Sequence, residues 1–82
     1  SILVSPTGLK RLSQLGAYAA QAVRQASPPD QNGWTRVEFP IENVDQAALA
    51  LLGLGPEVKI IAPIEVRDRL LEIAAQVIRH NS

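Results

Sequence analysis

A chain of 82 residues with eight basic and eight acidic side chains makes a single domain near the lower size limit for independent folding. Its hydrophobic share of 46% excludes a disordered chain, and its zero net charge argues against a free-standing duplex-DNA binder, whose affinity comes mostly from neutralising phosphates. The absence of cysteine excludes disulfides, thiol catalysis and cysteine metal sites.

In chain order, Ile2-Leu3-Val4-Ser5 is a short apolar run that predicts a first strand, buried on both faces. Pro6-Thr7-Gly8 ends it, and Thr7 is placed to cap the first helix. From Leu9 to Ala26 the residues Leu9, Leu12, Gly16, Ala19, Val23 and Ala26 recur at helical spacing, which predicts one long helix packed on the sheet. The breaker cluster Ser27 to Gly33 is a loop.

Trp34 to Glu42 alternates strictly. Thr35, Val37, Phe39 and Ile41 fall on one side, and Trp34, Arg36, Glu38, Pro40 and Glu42 on the other. This pattern predicts a half-buried strand, at an edge of the sheet because Pro40 cannot donate to a ladder. Asn43 and Gln46 have capping-box spacing and open a second helix, with Val44, Ala47, Ala48, Leu51 and Leu52 on its buried side. Gly53, Gly55 and Pro56 stop that helix. Val58 to Ala62 is a third strand, and Pro63 starts the last helix, which has acids in its first turn and Arg79 and His80 in its last.

The expected fold is therefore α+β: a two-layer ferredoxin-like sandwich, ordered strand-helix-strand-helix-strand-helix. A right-handed crossover between the second and third strands leaves room for the first between them. The expected sheet is three-stranded and mainly antiparallel, in the order second, first, third. One edge strand is expected to be lost or shrunken in the 27–33 loop.

The segment Gly33-Trp34-Thr35-Arg36-Val37-Glu38-Phe39-Pro40-Ile41-Glu42, an alanine-rich helix, and then Leu51-Leu52-Gly53-Leu54-Gly55-Pro56-Glu57-Val58 leading through Lys59-Ile60-Ile61-Ala62 to Pro63-Ile64-Glu65-Val66-Arg67 resemble the C-terminal extension (WCX-type) that comes after the WYL domain in many bacterial transcriptional regulators. The resemblance covers Trp34 to the C-terminus, and the earlier part fits only in pattern. It implies a longer protein with an N-terminal winged helix-turn-helix and a central WYL domain, in which this region senses a ligand or nucleic acid and helps to form dimers. Single-stranded DNA is one effector type that the family implies. The partners expected on this basis are the protein's own WYL domain, a second copy in a homodimer, and a single-stranded nucleic acid or small-molecule effector. Duplex DNA would be read only by the absent N-terminal domain.

The chain begins at Ser1 without a methionine, so the expectation is one domain over residues 1–82, cut from a longer protein. No apolar run approaches the roughly 20 residues needed to cross a bilayer. No signal peptide and a cytoplasmic protein without membrane contact are expected.

Catalysis finds little support, and no enzyme is expected. Ser5, Ser13, Ser27 and Ser82 lie in no nucleophile motif. His80, the only histidine, is near the end and reads as a solvated helix terminus; no metal site and no cofactor are expected. Glu38 and Glu42 read as exposed carboxylates, and Gly53-Leu54-Gly55 is too short for a phosphate loop.

Trp34 either covers the loop or first helix, or contacts another domain, a partner subunit or a stacked base. On the last helix, apolar residues fill about half the circumference when projected at about 100° per residue, too wide for one contact. Leu70, Leu71, Ala74, Val77 and Ile78, together with Trp34, are the expected interface. Arg67 falls inside that arc, where a guanidinium must snorkel, pair with a carboxylate or cap carbonyls, or else face an anionic partner at the domain boundary. Arg36, Lys59, Arg67 and Arg69 are the candidate contacts to nucleic acid or another anion.

Overall fold

The computed structural model describes residues 1–82. Three strands, β1 (Ile2–Val4), β2 (Thr35–Val37) and β3 (Val58–Ile60), combine with four helices, α1 (Pro6–Leu12), α2 (Ala17–Arg24), α3 (Val44–Leu52) and α4 (Ile64–His80). A single 3-10 turn, Gly55–Glu57, leads into β3. The fold is α+β, and the sheet order is β2-β1-β3, with β1 antiparallel to both neighbours. This is the predicted strand order.

Register is set by the alternation of apolar residues. Ile2 lies opposite Val37 and Ile60, and Val4 opposite Thr35 and Val58. Ile2, Val4, Thr35, Val37 and Ile60 are buried, so these rows form the inner face. Leu12, Ala19, Ala47, Ala48, Leu51, Leu54 and Val66 complete the core from the helices and the turn after α3. α3 packs chiefly against α4, and α1 against α2 and β1.

The long first helix is corrected. The chain forms α1 and α2 with a break at 13–16. Ser13 turns its hydroxyl back to the Lys10 carbonyl at 2.7 Å, a local bond that competes with helical propagation. Gly16 has φ 149°, outside helical space and open only to glycine. The helix also starts earlier than predicted. Ser5, not Thr7, is the cap: its Oγ accepts from the Gly8 N–H at 3.0 Å, with Pro6 in the first turn. The six-element order is thus replaced by one with four helices.

The other differences are smaller. β1 is not buried on both faces, because Leu3 is only half-buried. β2 stops at Val37 rather than continuing to Glu42, yet Phe39 and Ile41 still pack against the core. β3 ends at Ile60, where the Ile61 and Ala62 N–H groups turn to the Ser1 carbonyl at 3.0 and 3.2 Å. Asn43 caps α3 as expected, its Oδ1 accepting from the Gln46 N–H at 3.0 Å. Val44 is exposed, not buried. Of the two glycines after α3, only Gly55 is left-handed, at φ 61°. No strand forms over 27–33; Asp30 Oδ1 accepts from the Asn32 and Trp34 N–H groups. A single backbone bond from Asp30 N to Trp34 O, at 2.8 Å, joins this turn to the start of β2.

Candidate functional site

The register that buries one face of the sheet sets three residues on the other. Leu3 lies opposite Arg36 on β2 and Lys59 on β3. The central strand therefore has a cation on each side of a half-buried leucine, on the face turned away from the core. Trp34, half-buried, precedes β2 by one residue.

Arg36 is held by its surroundings. Its Nε lies 3.4 Å from Glu38 Oε1, and its Nη2 donates to Ser1 Oγ at 3.2 Å. Ser1 Oγ donates in turn to Glu38 Oε2 at 2.7 Å. That hydroxyl first, then the Ser1 ammonium 3.7 Å from Oε2 and the Arg36 guanidinium, hold the Glu38 carboxyl below its ordinary value. Lys59 is exposed and makes no ion pair. An approaching anion therefore meets one free ammonium and one guanidinium shared with a carboxylate.

The other two candidate cations are on α4. Arg69 donates from Nε to Asp45 Oδ1 at 2.9 Å and from Nη1 to Glu72 Oε2 at 3.0 Å. Its proton is held above the ordinary value first by Glu72 and then by Asp45. These bonds tie α4 to the start of α3 and leave little of the charge for a ligand. Arg67 is exposed, with Nη2 3.3 Å from its neighbour Asp68. The four-cation set is therefore divided into a sheet pair and two helix residues already facing carboxylates.

The expected interface residues are divided too. Leu70 packs against this chain's own core, Ala74 is half-buried, and Leu71, Val77 and Ile78 are exposed. His80 is exposed at the end of α4, and no three metal-ligating side chains come together.

A further feature escapes a reading of periodicity. An open groove of about 400 Å³ lies between the 15–19 segment, the 39–43 segment and α3, with Leu15, Tyr18, Phe39 and Ala47 on its walls and Glu42 at its rim. It exists because α1 and α2 are separate. The sequence signal was Gly16 in the middle of a helical pattern, a residue that costs about 1 kcal/mol there relative to alanine.

The family model described as the WCX domain matches residues 1–78. The chain belongs to the WCX domain family. This WCX domain finds no match among curated proteins or among solved structures. None of its helices is long and apolar enough to cross a membrane.

Proposed function

We propose that this WCX domain is the C-terminal effector-sensing and assembly domain of a bacterial helix-turn-helix/WYL transcriptional regulator. In this reading it is a cytoplasmic, non-enzymatic module that contributes to the response to a ligand or single-stranded nucleic acid and to dimerisation, while duplex DNA is read elsewhere in the regulator. Its sheet is a ferredoxin-like one whose fourth strand is reduced to the 27–33 turn. The observation that carries the effector reading is the placement of Arg36 and Lys59 on either side of Leu3, on the open face of the sheet. Two cations across a strand suit the phosphates of a single strand, and an apolar centre with Trp34 nearby suits its bases. The groove beside Phe39 is within the size range of small-molecule sites, and is where a metabolite effector would sit.

Trp34 is the only tryptophan, so its fluorescence reports the encounter. Titration with a short single-stranded DNA is expected to change that emission. The affinity should fall with salt at a log–log slope of about −1.4, the value for two phosphate contacts on a single strand. Arg36→Glu with Lys59→Glu abolishes the change, and in the intact regulator it abolishes the effect of single-stranded DNA on promoter binding. Absence of salt-dependent binding by the parent chain, with no effect of the double variant in the intact regulator, refutes the nucleic-acid reading.

The second reading is a plain oligomerisation module with no ligand. It is favoured by the exposed Leu71, Val77 and Ile78 on α4, and predicts self-association without any effect of added nucleic acid or metabolite.

A further inference from the structure

α4 carries apolar residues on two faces. Val66 is buried, and Leu70 and Ile73 pack against the core. Ile64, Leu71 and Ile78 are instead 52%, 57% and 65% exposed. Spaced seven residues apart, they form one stripe along the helix. Leu71 lies about 140° around the axis from Val66, so the stripe is not an edge of the core contact. From Ala75 to Ser82 every residue is exposed, and the last turns of α4 are covered by nothing in this chain.

The charges beside the stripe are separated along the helix. Asp68 and Glu72 flank its first half, and Arg79 its end, all on the same side. Arg79 has no ion-pair partner, and Asp68 meets only the adjacent Arg67. Between them, next to the stripe, are Ala74 and Ala75, whose small side chains let a second helix approach closely.

We propose that α4 is a self-complementary seam that pairs antiparallel with α4 of a second copy of this chain. The charge order selects the direction. Turned end for end, the copy's Arg79 faces Asp68, its Ile78 faces Leu71, and Ala74 and Ala75 lie at the two-fold axis. The two-fold repeats each contact in reverse. In a parallel pair the charged sides of the two helices would lie on opposite flanks of the seam, and Arg79 would meet no acid of the copy. The proposal rests on the assembly half of the function above and names its partner, surface and register. Its test contains no nucleic acid, so its failure leaves the sheet-face reading standing, and the reverse also holds.

The chain has no cysteine, which makes cross-linking clean. Ala75→Cys, at the proposed axis, is oxidised under mild conditions beside Gln21→Cys, an exposed position on α2 that reports random collision. The Ala75→Cys chain is expected to form a covalent dimer at least about tenfold faster. Asp68→Arg or Arg79→Asp, added singly, should remove that advantage by setting like charges together, at least about a tenfold effect. The two swaps combined restore the opposite pairing and the fast reaction. Circular dichroism shows whether each variant remains folded. Cross-linking of Ala75→Cys no faster than that of Gln21→Cys overturns the proposal and assigns the stripe to another domain. Failure of the double swap to recover, in folded protein, overturns the antiparallel register.

Discussion

Replacing Gly8 with alanine should destabilise this domain, against the ordinary preference of helices. Gly8 lies in the first turn of α1 and is buried. A glycine-to-alanine change inside a helix is worth about 1 kcal/mol of stability by propensity alone. Here an added Cβ would lie 2.6 Å from the Glu57 carbonyl oxygen and 3.0 Å from Glu57 Cβ. The first distance is 0.8 Å inside the 3.4 Å at which ordinary contact begins. Glu57 cannot easily give way, because its carbonyl accepts the Ser5 N–H at 3.0 Å and its carboxylate bonds the Ser5 hydroxyl. Either α1 lifts, disturbing the fully buried Leu12, or the Ser5–Glu57 bond breaks. Overpacking of this kind costs about 1–3 kcal/mol, and a lost hydrogen bond about 1 kcal/mol more. After the propensity gain the net loss is about 1–3 kcal/mol. For a domain of this size each kcal/mol lowers Tm by about 4–8 °C. Thermal unfolding monitored by far-ultraviolet circular dichroism measures it, with Thr7→Ala, an exposed neighbour, as control. A Gly8→Ala chain that melts at or above the parent temperature would refute the reasoning and show that α1 does not dock tightly on Glu57.

Leu51→Ala, at a fully buried position, should cost about 2–5 kcal/mol in urea unfolding, and more than Phe39→Ala, since Phe39 is only half-buried at the groove wall. Ser5→Ala removes the cap of α1 and should cost about 1–2 kcal/mol, whereas Thr7→Ala leaves the melting temperature near the parent value. Glu38, whose carboxyl is held below its ordinary 4.5, supports the fold above that pH, and its contribution is lost as pH falls through the lowered value. The parent chain should therefore lose stability in that acid window by slightly more than Glu38→Gln does, as read from unfolding curves across the range.

The strands were legible because their signals are periodic and local, and their order followed from the right-handed crossover between the second and third. The alternation at Thr35 and Val37 and the stop at Gly55-Pro56 survive any tertiary arrangement. The break in the first helix was not legible from the same periodicity. Leu12 and Ala19 are both buried and stand seven residues apart, a spacing that suits one helix as well as two. Only backbone geometry at Gly16 separates the possibilities, and glycine is permissive rather than directive. The candidate cations show the same limit. Lys59 and Arg36 lie 23 positions apart in the chain, and their meeting across Leu3 needed the register of two ladders. Arg69 looked like a free cation because its partner Asp45 belongs to another helix.

The sheet face and the α4 stripe lie on opposite sides of one core. Lys59 points away from it while its neighbour Ile60 is buried within it. Val66 enters the same core from α4, with the stripe turned outward beyond it. Only residues 61–63 separate β3 from α4, and two of them are tied to Ser1 by backbone bonds. A ligand that displaced β3 from the open face would therefore be felt at the start of α4 with little slack, because packed interiors transmit strain. The opposing anchor is Arg69, which fixes α4 to Asp45 of α3 and to Glu72 within its own helix. If the sheet face binds an effector and the stripe joins two copies, the lever between them is α4 itself, driven at Ile64 and pivoted at Arg69. The turns beyond the pivot include Leu71 and Ile78, the residues placed at the seam, so a small change at β3 would be felt where two chains meet.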